Sequence, residues 1–262
     1  MWRSFYDYLN QDSTGAGIAR LVISTLFVLA VWQVLTMTIV QNRMLLVPPR
    51  EVLQAFGREI GSGAMWKNAV ATVMAVGTSF PVAVAIGVIT GLILASNRVV
   101  SLMVGPLLSA LNSVPIIALA PLFIAWLGLG LTSKFVLVLL VAVFPVIVTT
   151  EAGLRAADKN LIEAAKSFNA TPLQVFATVT FPYALPFIVS GVRVAWARAL
   201  VGIVVAEFFG SFAGFGFAVM AAGQTFDTAT LLTYVIVLGA MGLVGSMIFQ
   251  SLETRLAPWR NA

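Results

Sequence analysis

The chain has 262 residues, of which 60% are hydrophobic and 10% are charged, and its formal net charge at pH 7 is +5. A soluble domain of this size would expose too much apolar surface to water, so the composition excludes the soluble class and predicts a membrane protein. The chain contains neither cysteine nor histidine, which excludes disulfides, thiolate metal sites and a histidine proton shuttle.

Six apolar stretches predict membrane-spanning helices, because one span needs about 20 apolar residues. The predicted spans are residues 18–40, 69–95, 99–127, 135–150, 183–206 and 231–249. The first is too long for the core of a signal peptide, so we expect an uncleaved span. The third contains three prolines and the polar pair Asn112-Ser113, which predicts a kinked helix whose freed carbonyl groups face protein. The expected fold class is an all-α membrane protein with a single six-span domain.

The topology is predicted from one irregular segment and from the basic residues. Segment 208–226 is uncharged and about long enough to span, but four glycines interrupt it, so we expect a re-entrant or surface-lying connection. Six spans place both termini on one side of the membrane. More basic residues flank that side than the other, which predicts cytoplasmic termini. Eight lie on the terminal side (Arg3, Arg20, Arg98, Arg155, Lys159, Lys166, Arg255, Arg260) and five on the other (Arg43, Arg50, Arg58, Lys67, Lys134).

Residues 151–182 form the only long polar interval in the C-terminal half, and local signals predict two short helices within it. Asn160 could cap the first helix, with Glu163 as its third residue, and Asn169 suits the left-handed turn that ends it. The second helix would begin at a capping box that starts with Thr171, and Phe181-Pro182 would close the segment. We therefore expect a helix-turn-helix exposed to the cytoplasm.

The spacing in this interval resembles the EAA loop of binding-protein-dependent ABC importer permeases. Glu163-Ala164-Ala165 is followed after three residues by Asn169, after nine more by Val179, and then by Phe181-Pro182. The family pattern has Gly, Ile and Leu at Asn169, Val179 and Phe181. Further segments are similar to the nitrate, taurine and aliphatic-sulfonate branch of this family: Leu46-Val47-Pro48-Pro49, Trp66, Asn112-Ser113-Val114-Pro115, Ala120-Pro121, Gly191-Val192-Arg193 and Ala206-Glu207.

The resemblance implies the type I importer permease fold, with a coupling helix from Leu161 to Phe168 seated in a groove of a cytoplasmic ATPase. The residues expected at that contact are Leu161, Glu163, Ala164, Ala165, Lys166, Phe168 and Asn169. Glu163 could also serve only to complete a capping box, and both roles are compatible. The resemblance further implies a second permease copy, a periplasmic or lipid-anchored substrate-binding protein, and surrounding membrane lipid as partners, with no nucleic acid.

Catalytic motifs are missing from the sequence. None of the four lysines follows a glycine, so there is no P-loop to hold ATP. Without histidine, a membrane hydrolase would need an unusual base. We therefore expect a non-catalytic subunit without a cofactor or metal of its own, whose partner ATPase binds ATP and Mg²⁺.

The candidate residues of a translocation pathway are Asn112, Ser113, Arg198 and Glu207. Arg198 lies roughly 24 Å along its helix from Pro182, near the bilayer middle, so it must face protein or an aqueous path. Substrate steering and a structural ion pair are both open for Arg198. Glu207 falls near the outer interface, where it could be solvated or take part in packing or gating.

The expected function is ATP-driven import of a small anion by alternating access along the axis of a homodimer in the bacterial inner membrane. Candidate solutes are a sulfonate, taurine, nitrate or an aromatic carboxylate. Two alternatives are an ion-gradient-driven secondary transporter and a non-transporting assembly protein. The cytoplasmic helix-turn-helix disfavours both, and Glu207 is the only acidic candidate for ion coupling.

Overall fold

The computed structural model describes residues 14–40 and 42–256, and every regular element within these ranges is helical. Arg3 and Arg260, which entered the topology prediction, lie outside the described residues. The α-helices are α1 (Thr14–Thr38), α2 (Pro49–Gly61), α3 (Ala64–Ser96), α4 (Arg98–Ser113), α5 (Ala120–Leu127), α6 (Leu131–Arg155), α7 (Lys159–Ser167), α8 (Pro172–Val175), α9 (Phe181–Gly210), α10 (Phe215–Gln224) and α11 (Thr228–Leu256).

Within the described ranges, four helical stretches are long and apolar enough to cross a membrane: α3, α6, Pro172–Gly210 and α11. A fifth is formed by α4 and the following segment Ile116–Leu127, which is bent by 71° at the break. The kink expected from the prolines of the third span is therefore present. The described apolar part of α1, Val22–Thr38, is shorter than a span, so the sixth span stays a prediction.

The core is formed where α3, α6 and α9 pack together, with fully buried small side chains such as Ala142, Ala195 and Ala199 between them. Glycines allow the helix backbones to approach closely. A Cβ atom at Gly91 of α3 would lie 2.6 Å from the Cβ atom of Thr150 on α6, which is nearer than packed atoms tolerate. This close packing fixes the relative positions of the three helices that carry the polar sites below.

Helix α6 is longer than predicted, because it continues to Arg155 instead of ending at residue 150. The two charged residues of its last turns are accommodated by local partners. Arg155 Nη2 lies 3.0 Å from Glu151 Oε1 and donates to the Leu94 carbonyl at 3.0 Å, while Ser101 Oγ donates to Glu151 at 2.9 Å. These contacts place the ends of α3 and α6 together, at what we call the loop end of the bundle.

The predicted second helix of the polar interval is not a separate element, and Phe181-Pro182 does not end it. Helix α8 continues through a wide π-helical turn, Phe176–Thr180, directly into α9. The Phe181 N–H donates to the Phe176 carbonyl, five residues earlier. This wider turn accommodates the proline that follows, whose missing N–H would interrupt a regular α-helix.

The opposite end of the bundle, which we call the far end, contains two short helices. The far end lies roughly 50 Å from the loop end, because α3 has 33 residues at 1.5 Å each. Helix α2 was missed at the sequence level, although Pro49 at its first position and Glu51 in its first turn are helix-start signals. Segment 208–226 contains the ten-residue α10, which is too short to span and packs against α9 and α11.

Candidate functional site

The interval between α6 and α9 presents α7 at the surface of the loop end. Its N-cap is Asp158 rather than the predicted Asn160, because the Asp158 side chain accepts a hydrogen bond from the Asn160 N–H at 2.8 Å. The predicted left-handed turn is present, with φ 56° at Asn169. The predicted capping box of Thr171 and Gln174 is also present.

The position of the N-cap shows whether Glu163 completes a capping box. Since the helix starts at Lys159, Glu163 is not at the third position and does not complete a capping box. Its side chain is exposed and makes no hydrogen bond or ion pair with any residue that the structure describes. The Glu163 carboxylate is therefore free to contact a partner.

One face of α7 carries an exposed apolar stripe. Leu161, Ala164 and Phe168 follow each other at i, i+3 and i+7, which places them on one side of a helix. Leu161 is 52% exposed and Phe168 is 87% exposed. A helix face with this spacing is typical of helices that dock in a groove of another protein.

A second site lies on an exposed face of the bundle, about midway along α9, where this helix passes the break between α4 and α5; Asn112 and Arg198 are both exposed there. Arg198 Nη1 donates to Asn112 Oδ1 at 3.3 Å, so the structure brings together two of the four predicted pathway residues. They line a cavity of about 450 Å³ whose remaining walls are apolar, with side chains such as Ile117, Phe144 and Val201.

Arg198 is a cation without a matching anion in this cavity. Its guanidinium has five N–H donors, and the described residues provide it with no ion pair. An unpaired charge at this depth of a membrane protein is costly unless water or a ligand compensates it. The cavity can therefore bind an anion against Arg198, with Asn112 holding one edge of the guanidinium.

Ser113 does not join this site. Its hydroxyl donates to the Ser109 carbonyl within α4 at 2.9 Å, and Ser113 is not among the residues that line the cavity.

A larger apolar cavity of about 660 Å³ lies between α3 and α11, and none of the described residues in its wall is charged. It offers no group that would bind a polar solute.

Glu207 lies away from the cavity and is fully buried, so of the alternatives left open for it solvation is excluded and the role in packing fits its position. It follows Arg198 by nine residues, which corresponds to about 13 Å along α9 and to the opposite face of the helix. Lys134 Nζ approaches Glu207 Oε1 to 3.2 Å and donates to the Ala213 carbonyl at 3.1 Å. Lys134 was placed in a loop at the sequence level and was not recognised as its partner.

The Glu207 carboxylate also holds the start of α10 in place. It accepts the Gly216 N–H at 2.8 Å, while Thr72 Oγ1 lies 3.0 Å from both carboxylate oxygens and accepts the Phe215 N–H. A Cβ atom at Gly214, whose φ is 129°, would collide with this carboxylate. The arrangement is a buried structural centre that joins four helices, and both oxygens of the Glu207 carboxylate accept hydrogen bonds from the protein.

Comparison with known proteins gives a consistent family assignment. Residues 83–261 match the model of the family described as binding-protein-dependent transport system inner membrane component. The chain is 31% identical over 235 residues to the putative aliphatic sulfonates transport permease protein SsuC of Bacillus subtilis, covering 90% of this chain and 85% of the relative. It is 29% identical over 248 residues to the taurine transport system permease protein TauC of Escherichia coli, covering 92% and 90%.

Two further matches extend the comparison. The formylaminopyrimidine transport permease protein ThiX of Halalkalibacterium halodurans is 28% identical over 236 residues, with 90% of this chain and 94% of the relative covered. Among solved structures, an inward-facing form of the MetNI methionine ABC transporter aligns with a TM-score of 0.63 at 19% identity, covering 73% of this chain and 97% of that chain. At this identity the structural match supports the fold alone.

Proposed function

Because the chain belongs to the family of binding-protein-dependent transport system inner membrane components and is a permease of the ABC importer type, we propose that it carries a small anion across the bacterial inner membrane. The observation that carries the anion assignment is the exposed Arg198 guanidinium, which faces a cavity between α6, α9 and the break after α4 and has no carboxylate partner among the described residues. Relatives named for aliphatic sulfonates and taurine support a sulfonate-type solute, with nitrate and an aromatic carboxylate as further candidates.

Transport requires energy from a separate chain in this proposal. Helix α7 docks in a cytoplasmic ATPase through the stripe of Leu161, Ala164 and Phe168, with Glu163 at the contact. A second permease copy completes the pathway, since the cavity at Arg198 is open on one side and needs another protein surface to exclude lipid. A binding protein delivers the solute at the far end, so both termini and α7 lie on the cytoplasmic side.

A secondary transporter driven by an ion gradient is disfavoured. Such carriers use an acidic residue that gains and loses its partner during transport. Glu207 is held by Lys134, Thr72 and Gly216 in the interior, on the face of α9 opposite to the cavity. Within residues 14–40 and 42–256, no carboxylate lines the cavity beside Arg198.

The test is uptake into proteoliposomes that contain this chain together with its ATPase and its binding protein. We expect ATP-dependent uptake of one anion from a panel of alkyl sulfonates, taurine, nitrate and benzoate. The variant Arg198→Gln should lower uptake by at least about tenfold, because it removes a charge-assisted contact of about 1.5–3 kcal/mol. Arg193→Gln, on the same helix and half-buried, is the matched control and should transport normally.

Two results would oppose the proposal in different ways. Uptake that follows an imposed proton or sodium gradient without ATP would overturn the importer mechanism. Equal loss in the Arg198 and Arg193 variants would remove the assignment of Arg198 as the anion contact, while leaving the importer mechanism in place.

A further inference from the structure

Helix α2 at the far end has three distinct faces. Val52 and Ala55 are buried against the bundle, and Leu53 and Ile60 form an exposed apolar face. The third face is polar and exposed over its whole length, and its residues follow at i, i+4, i+7, i+8 and i+11. They are Arg50, Gln54, Gly57, Arg58 and Gly61, which we call the cationic stripe.

Glu51 lies at the edge of the cationic stripe, about 20° around the helix from Arg58, whereas Glu59 lies on the inner face beside Val52. Glu51 is paired with Arg43 at 3.3 Å, and Glu59 accepts a hydrogen bond from the Tyr234 hydroxyl at 2.5 Å. Arg50 and Arg58 have no ion pair with any residue in the described ranges. Among the described residues, the stripe therefore carries two positive charges without an ion pair, and the carboxylate at its edge, Glu51, is neutralised by Arg43.

The cationic stripe points away from the exposed apolar face of α2, and therefore away from the lipid. At 100° per residue, its centre lies about 95° around the helix from the exposed apolar face and about 145° from the buried face. A helix with this pattern lies along the membrane surface with its apolar face toward the acyl chains and its polar face toward water. Gly57, between the two arginines, and Gly61, beyond Arg58, carry no side chain, so a protein surface can approach the stripe closely.

The inner face of α2 is fixed to the bundle. The Thr233 hydroxyl donates to the Val52 carbonyl at 3.1 Å, and the Asn68 side chain donates to the Tyr234 hydroxyl at 2.9 Å. Asn68 Oδ1 in turn accepts the N–H of Gly214, beside the buried Glu207 centre. These bonds hold the cationic stripe in a defined position, as a recognition surface requires.

We propose that the cationic stripe of α2 is a docking surface for a water-soluble protein that presents an acidic patch. This inference rests on the proposed function, in which a soluble binding protein reaches the permease at the far end. The charge complementarity would steer the encounter and set the orientation of the bound protein. The surface lies at the end of the bundle opposite to α7, so the two partners occupy separate ends.

The experiment uses the assembled permease–ATPase complex in nanodiscs of neutral lipid. The solute-loaded binding protein encoded beside this chain is titrated, and its Kd is measured by fluorescence anisotropy at 50 and 300 mM salt. We expect the double variant Arg50→Glu/Arg58→Glu to raise Kd by on the order of tenfold at low salt, with a smaller change at high salt. Size-exclusion chromatography of the variant complex checks that it has assembled.

The matched control is Arg20→Glu/Arg255→Glu, which makes the same change in charge at two exposed arginines on α1 and α11. It should leave the Kd of the binding protein unchanged. An equal rise in both double variants would show a general effect of net charge and would overturn the docking surface.

The remaining outcomes separate this inference from the proposed function. If the unaltered complex binds the protein and the Arg50/Arg58 variant binds it equally well, the cationic stripe is not the docking surface and the proposed function stands. If the variant is impaired only in nanodiscs with anionic lipid, the stripe binds headgroups and the inference fails. If the unaltered complex neither binds the protein nor is stimulated by it, the proposed function itself fails.

Discussion

Removing one partner of the buried pair between Lys134 and Glu207 should destabilise the protein strongly. The variant Lys134→Met fits the space of the lysine stem but leaves the Glu207 carboxylate buried beside an uncharged group. It also removes the hydrogen bond to the Ala213 carbonyl. A broken buried pair costs about 3–5 kcal/mol, because the remaining charge has lost its compensation.

The second substitution in a double-mutant cycle, Glu207→Gln, should recover much of that loss in the Lys134→Met background. The glutamine oxygen can still accept the Gly216 N–H, and no buried charge remains. We therefore expect a coupling energy of about 2–3 kcal/mol between the two positions. The measurement is reversible unfolding in mixed micelles, followed by circular dichroism, with the exposed Lys67→Met as the control. Additive effects of the two substitutions, or single losses below about 1 kcal/mol, would refute the assignment of a structural centre.

Two further changes test other parts of the structure. Glu163→Lys should leave the protein folded in the membrane but abolish ATP-coupled uptake, since it reverses the charge at the proposed ATPase contact. Uptake and ATP hydrolysis are measured in proteoliposomes, and normal coupled transport by the variant would contradict the prediction. Gly214→Ala should destabilise the far end by about 1–3 kcal/mol, because the positive φ of Gly214 and the collision with the Glu207 carboxylate both oppose a side chain. The control in the same unfolding assay is Gly57→Ala on the surface of α2, where the added methyl group meets open space.

Several local features were predictable because they depend on neighbours in the sequence. The capping box of Thr171 and Gln174 joins residues three positions apart, and the left-handed turn at Asn169 follows from the tolerance of asparagine for positive φ. The kink of the third span follows from its prolines. The membrane class follows from composition, because transfer to lipid is the sum of many apolar side chains and needs no knowledge of their arrangement.

The same local rules failed where a distant contact or a backbone adjustment decided the outcome. Pro182 was expected to end a helix, but a π-helical turn carries the chain past it into α9. Helix α2 was missed because it is too short to span the membrane and lies in a polar interval, and its inner face is stabilised by α11, through Thr233 and Tyr234. Propensity within a short window contains no information about such partners.

The sequence by itself determined that this chain is a helical membrane protein with a polar loop of the importer-permease type, since those properties arise from composition and from spacing within a few turns. Only the tertiary structure decided what the charged residues do. It joined Arg198 to Asn112, which are 86 residues apart, and Lys134 to Glu207, which are 73 apart. In a low-dielectric interior the role of a charge depends on the group that faces it. For Arg198 that environment leaves a cation without an ion pair among the described residues, and for Glu207 it provides Lys134, Thr72 and Gly216 as partners.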